Sequence, residues 1–169
     1  DKTYRCPLVI NSAGLHADTI ASLVGIEKYK IRPCRGDYFR LENGPKFNHL
    51  IYPAKDPKNP GLVIHLTVDF EGHAKFGPDA EYIDDVNDTT PREDKMDTFK
   101  QAAFRLLNLP LDSKFSYAGF GVRPKLYKQG EPDADFVISK DLPGFINLIG
   151  IESPGLTSCL SIANYVAKL

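Results

Sequence analysis

Two arginines, one histidine and one strand-to-helix junction carry most of the chemistry this chain offers. Arg123, in Gly121-Val-Arg-Pro124, has a planar fork that can hold a carboxylate through two parallel N–H bonds or serve as a structural ion-pair partner. Arg35 precedes Gly36, whose missing side chain permits close backbone approach, so it is a second candidate for binding an anionic group. Pairing with Asp37 is the competing reading. His65 lies in Val63-Ile-His-Leu-Thr67, where alternation sets Val63, His65 and Thr67 on one face and Ile64 and Leu66 on the other. Imidazole ionises in the physiological range, which suits a general base if that face lines a pocket; otherwise His65 is a satisfied core or surface histidine. Tyr52, beside Pro53, can lend a hydroxyl to the same pocket or simply pack.

The junction is Phe145-Ile-Asn-Leu-Ile-Gly-Ile-Glu-Ser-Pro-Gly-Leu-Thr157, an apolar strand running through Ser153 and Pro154 into the last helix. Ser153 reads as N-cap and Pro154 as the first helical residue. Backbone donors and the positive end of a helix dipole suit an electron-rich group such as a phosphate, although such a turn also occurs for purely structural reasons. His16, His49 and His73 have no carboxylate or cysteine partners at ligand spacing, so no metal is assigned. Cys6, Cys34 and Cys159 are widely spaced without a C-x-x-C pair, which argues against a disulfide framework and fits a reducing compartment.

The elements that must position these residues follow from period and punctuation. Pro7 to Asn11 reads as a buried strand, Ser12-Ala-Gly14 as a turn and Ala17 to Val24 as a short helix closed by Gly25. Strand signals cover Lys30 to Leu41, with Asn43-Gly44 as a hairpin signal, then His49 to Pro53, Leu62 to Val68 and Ala74 to Gly77. Asp56 to Gly61 and Glu71-Gly72 separate them, giving a meander of short antiparallel strands. Thr90-Pro-Arg-Glu93 matches a capping box, and Met96, Phe99, Ala103, Phe104 and Leu107 continue at helical spacing, so a helix is predicted from about Pro91 to Leu107. Strands are predicted at Phe115 to Leu126, Asp135 to Ser139 and Phe145 to Ile151, followed by a helix with Leu156, Leu160, Ala163 and Val166 on one face.

The chain has 169 residues, 42% hydrophobic and 25% charged, enough for one globular domain with a real core. A net charge of -1 disfavours nucleic acid or anionic lipid as the main partner. No stretch approaches the ~18 apolar residues of a membrane span. Opening at Asp1 and moving almost at once into an apolar run reads as an internal piece of a longer protein. The expected fold class is α+β, a mostly antiparallel sheet with helices packed on it.

Eight phrases in order resemble the FAD-dependent oxidoreductases of the D-amino-acid oxidase superfamily, most closely the L-2-hydroxyglutarate dehydrogenase/oxidase branch. They are Val9 to Asp18, Arg32 to Phe39, Leu50 to Pro53, His65 to Thr67, Phe76 to Asp79, Gly121 to Pro124, Asp135 to Ile138 and Ser153 to Thr157. The G-x-G-x-x-G turn expected for FAD pyrophosphate is absent; at the nearest match, Gly119-Phe-Gly121, Pro124 stands where the third glycine belongs. The resemblance thus implies a substrate domain with later parts of the FAD domain, divided as 1–25, 26–140 and 141–169, whose partner is a missing N-terminal FAD-binding half. As it stands the chain is expected to hold FAD weakly or not at all.

The resemblance further implies oxidation of a small 2-hydroxy acid to the 2-oxo acid, or of an amino acid, amine or glycerol 3-phosphate. Arg123 would clamp the substrate carboxylate, His65 would act as base, and Arg35, Tyr52 and Thr67 would complete the substrate pocket. Gly14 and the segment Ser153, Pro154, Gly155, Leu156 and Thr157 would approach the flavin. A mitochondrial or membrane-associated setting is what the family suggests. A non-catalytic binding module remains the alternative from another class.

Overall fold

A computed structural model of the chain describes residues 2–54, 63–127 and 134–169. The strands are β1 (Val9–Asn11), β2 (Ile31–Leu41), β3 (His65–Val68), β4 (Ala74–Gly77), β5 (Glu81–Tyr82), β6 (Phe115–Leu126), β7 (Val137–Leu142) and β8 (Phe145–Ile149). The helices are α1 (Ala17–Ser22), α2 (Met96–Leu106) and α3 (Cys159–Val166). This is an α+β fold, as the sequence indicates. The expected Asp56 to Gly61 turn and the start of the strand at Leu62 lie outside the described residues.

Contacts divide the chain into two units, one of residues 1–34 with 123–169 and the other of residues 35–122. These boundaries fall inside β2 and β6. In the first unit a three-stranded sheet runs in the order β1-β8-β7. Pro143-Gly144 makes the turn from β7 into β8, with Gly144 at φ +75°, the left-handed conformation a side chain resists. A Cβ on Gly144 would also stand 2.9 Å from the Pro7 carbonyl oxygen, so glycine lets the chain ahead of β1 lie against this turn. β1 then pairs parallel to β8, Val9 opposite Phe145 and Asn11 opposite Asn147.

β1 was expected to be a buried strand, yet Leu8, Val9 and Ile10 are each more than two-fifths exposed, and the polar Asn11 is the buried residue. The physical reason is hydrogen bonding. Asn11 Nδ2 donates to the Ala17 carbonyl and to Asn147 Oδ1, each at 2.7 Å, while Asn147 Nδ2 donates to Asp141 Oδ2. Lys28 Nζ, Tyr29 Oη and Ser139 Oγ also donate to Asp141. Burial alone would raise the Asp141 carboxyl, but these four donors hold it at about 2.

The second unit carries a sheet in the order β3-β4-β2-β5, with β6 also pairing with β2. β3 and β4 form an antiparallel hairpin, His65 opposite Gly77, but the predicted strand at His49 to Pro53 is reduced to one bridge, Ile51 to Leu66. The simple meander is therefore replaced by a sheet with β2 near its centre. α2 turns Phe99 and Ala103, four residues apart, onto a core of Phe39, Leu66, Phe76 and Phe115. Phe39 and Phe99 have ring centroids 4.7 Å apart.

The capping box at Thr90 to Glu93 does not form. The Thr90 N–H donates to Asp88 Oδ1, its carbonyl accepts from Arg35, and helix begins only with a 3-10 turn over Glu93–Lys95. Among the described residues no helix is long and apolar enough to cross a membrane.

Candidate functional site

The two arginines singled out in the sequence have opposite environments. Arg35 is fully buried in the second unit. Its Nε and Nη2 donate to Asp37 Oδ1 at 3.0 and 2.8 Å, and Nη1 and Nη2 reach the carbonyls of Asp88 and Thr90. Tyr117 Oη lies 2.9 Å from Nη2, and Arg35 Cζ sits 4.0 Å from the centroid of Phe120. The pairing with Asp37 left open by the sequence is the one present, and a substrate carboxylate would have to break it to reach this guanidinium. Lys95 completes the cluster with Asp37, Asp79 and Glu81. Burial alone would raise the Asp37 carboxyl, but Arg35, Lys95 and Tyr117 together hold it below the usual range.

Also in the second unit, His65 is buried on β3 and its ring stacks on Tyr52, with centroids 4.1 Å apart and planes 20° from parallel. Its Nδ1 lies 3.1 Å from the Val63 carbonyl oxygen. A carbonyl can only accept, so in the neutral ring Nδ1 carries the hydrogen and Nε2 keeps the lone pair, the form a general base requires. Thr67 Oγ1 donates to the Lys75 carbonyl across the hairpin, at 3.4 Å. Tyr52 is largely exposed.

Arg123 belongs to the first unit and is one-fifth exposed. Its Nε lies 4.0 Å from Glu152 Oε2, the edge of ion-pair range, while Lys125 Nζ approaches Glu152 Oε1 at 3.0 Å. Glu152 and Lys125 were not foreseen. The available signal was alternation, since Arg123 and Lys125 are two apart on β6 and so leave the same face.

The junction after β8 differs from its expected form. Ser153 is not an N-cap: residues 153–158 form a run of turns, and α3 starts at Cys159 with Ser158 ahead of it. Oxygens inside the segment take the donors first. The Gly155 N–H donates to the Glu152 carbonyl, and the Ser158 N–H, Ser158 Oγ and Thr157 Oγ1 all donate to the Pro154 carbonyl. Among the described residues, the N–H groups of Leu156 and Thr157 have no hydrogen-bond partner. Gly14 adopts φ +56° with nothing within 4 Å of where its Cβ would stand. Gly155, from the segment expected to approach a flavin, lines one apolar cavity of about 460 Å³ with Leu8, Ile10, Ser12, Ile146 and Ile162. An open glycine and two unsatisfied backbone donors fit a flat, electron-rich ring better than they fit a metal. Among the described residues, no three His, Cys, Asp or Glu side chains cluster as a metal site.

Comparison with known proteins defines the class. The sequence profile of the FAD dependent oxidoreductase family, DAO, matches residues 1–169, and the chain belongs to that family. Among individual relatives, mitochondrial L-2-hydroxyglutarate dehydrogenase of Arabidopsis thaliana is 38% identical over 95% of the chain and 37% of its own length. The glycerol 3-phosphate dehydrogenase of Caloramator mitchellensis is 35% identical over 99% of the chain and 34% of its own length. The chain thus spans about a third of these relatives. In fold it is similar to FAD-bound L-alpha-glycerophosphate oxidase of Mycoplasma pneumoniae, with a TM-score of 0.74, 23% identity, and coverage of 95% of this chain and 42% of that one.

Proposed function

We propose that the full-length protein is an FAD-dependent oxidoreductase that converts a small 2-hydroxy acid, L-2-hydroxyglutarate or a close analogue, to the 2-oxo acid. The observation that carries this reading is the 38% identity to an L-2-hydroxyglutarate dehydrogenase across 95% of the chain. Bound FAD would supply the hydride-accepting chemistry. Gly14 and the Leu156 and Thr157 N–H groups are the residues of this chain proposed to hold it.

Arg123 holds the substrate carboxylate, its fork being only partly occupied by Glu152. His65 takes the hydroxyl proton at Nε2, with the Val63 carbonyl fixing the tautomer and the Tyr52 ring fixing the plane of the imidazole. Thr67 and Tyr52 are proposed substrate contacts. Arg35 acts instead on the framework around Tyr117 and Phe120. The 35% identity to a glycerol 3-phosphate dehydrogenase supports a second reading, in which the anion held is a phosphate.

The deciding experiment records the visible spectrum of the full-length protein during anaerobic addition of L-2-hydroxyglutarate, D-2-hydroxyglutarate, glycine and glycerol 3-phosphate. Bleaching of a flavin band by the first alone is expected. Bleaching by glycerol 3-phosphate alone would transfer the assignment to the second reading, and a colourless folded protein would overturn both.

A further inference from the structure

We infer that Tyr38 is a specificity-determining residue of the His65 site, its ring forming the wall that faces Tyr52 across the imidazole. This rests on the reading of His65 as the base. The registers of the second unit's sheet put four residues in one row. His65 of β3 stands opposite Gly77 of β4, and Ile51 bridges to Leu66, which sets Tyr52 beside His65. β2 pairs with β4 through Phe39 opposite Phe76, so Tyr38, one residue earlier, comes beside Gly77. Ile51, Leu66, Phe76 and Phe39 all belong to the core under α2. Their neighbours Tyr52, His65, Gly77 and Tyr38 therefore leave the opposite face, since successive side chains of a strand alternate.

Gly77 is what admits the tyrosine ring to the row. A Cβ on Gly77 would stand 2.7 Å from Tyr38 Cδ1 and 3.1 Å from Tyr38 Cγ, so the ring occupies the space that any other residue would fill. β2 and β3 lie two strand spacings apart, about 10 Å, and Gly77 puts no side chain between the ring and His65. The imidazole thus has the Tyr52 ring stacked on it, centroids 4.1 Å apart, and the Tyr38 ring on the side towards β2. The wall is the ring itself, so it stands whichever partner the hydroxyl takes. Tyr52 is largely exposed and Tyr38 half-buried, so a solute can reach the row. Along the strands the slot continues to Thr67, which stands opposite Lys75. A substrate whose hydroxyl meets His65 Nε2 therefore lays its carbon chain along the strands, between two aromatic walls. The class this selects is a straight-chain 2-hydroxy acid, because a ring or branch next to the hydroxyl-bearing carbon collides with Tyr38.

The test measures anaerobic flavin bleaching in the full-length protein by L-2-hydroxyglutarate and by L-phenyllactate, a 2-hydroxy acid with a ring on the carbon next to the hydroxyl-bearing one. Tyr38→Ala is expected to raise the ratio of the phenyllactate rate to the hydroxyglutarate rate about tenfold or more, whereas loss of packing alone would slow both together. Tyr38→Phe, which keeps the ring, is expected to hold that ratio within about threefold of wild type. An unchanged ratio in Tyr38→Ala at an unaltered thermal midpoint would overturn the proposal. A Tyr38→Phe ratio that rises as far as that of Tyr38→Ala would do so too, since the hydroxyl would then be the selective group. If Tyr38→Ala is unstable, Tyr38→Leu takes its place, and a wild-type ratio in that variant overturns the wall. His65→Asn separates the two levels. If it leaves the pH profile of bleaching by L-2-hydroxyglutarate unchanged, the base reading fails and the slot with it; if it flattens the profile while Tyr38→Ala leaves the ratio unchanged, only the Tyr38 proposal fails. No bleaching of the wild type by L-2-hydroxyglutarate would remove both.

Discussion

Arg35 and Arg123 show how little residue type decides by itself. A guanidinium offers five N–H donors, and what it does depends on how many are already satisfied. Around Arg35, Asp37, two carbonyls and Tyr117 take up the donors; around Arg123, one carboxylate of the described residues stands at the edge of reach. Arg123→Lys in the full-length enzyme is therefore expected to lower kcat/KM about tenfold or more, because a point charge replaces a bidentate fork. Steady-state kinetics within twofold of wild type would remove the clamp. His65→Asn is expected to slow single-turnover bleaching of the flavin band and to flatten its pH profile, since the amide cannot take a proton. A profile with its wild-type shape would reassign the base. The sequence narrowed Arg35 to two readings and could go no further, because the choice depends on Asp88, Thr90 and Tyr117, which lie 53 to 82 positions away along the chain.

At the scale of elements, Asp141 ties β7 to β8 through Asn147 and to the segment before β2 through Lys28 and Tyr29. Its carboxyl is held at about 2, below the unfolded value of ~3.9, so the folded state binds its proton later than the unfolded state does. The stabilisation is thus present above about pH 4 and is lost as pH falls towards 2, amounting to roughly 2–3 kcal/mol. Asp141→Asn is expected to unfold at lower temperature than wild type at pH 7, with the gap narrowing on acidification. A gap independent of pH would show that the ionised carboxylate contributes nothing.

Several elements were legible because their determinants are local. The spacing of Phe99 and Ala103 marked α2, and the strand signals at Ala74 to Gly77 and Phe115 to Leu126 marked β4 and β6 with their observed bounds. Helix starts were misread where a neighbouring group took the capping donors first, as Asp88 does with the Thr90 N–H and the Pro154 carbonyl does with the Ser158 N–H. Pro143-Gly144 is a local turn signal of the same kind. Strand partners were illegible throughout, since period 2 says which face a residue takes and nothing about which strand lies beside it.

For the whole molecule, the two units differ in how their chain is arranged. The second is one continuous stretch, 35–122, with its own core of Phe39, Phe76, Phe99 and Phe115, whereas the first joins both ends of the chain. Residues 35–122 expressed alone are expected to unfold cooperatively in urea, followed by circular dichroism. A gradual, non-cooperative loss of signal would show that their core needs the remainder of the chain.

The parallel pairing of β1 with β8 also has a consequence for biosynthesis. Asn11 must find Asn147, 136 positions later. Throughout translation of the intervening chain, β1 sits outside the ribosome with neither its ladder partner nor its amide partner, and with Leu8, Val9 and Ile10 uncovered. Closing so distant a contact is slow compared with hairpin formation. The nascent protein therefore carries an open, adhesive strand while the 136 positions up to Asn147 are made, roughly 7–27 s of elongation, and its yield in the cell should depend on chaperones that shield such segments meanwhile.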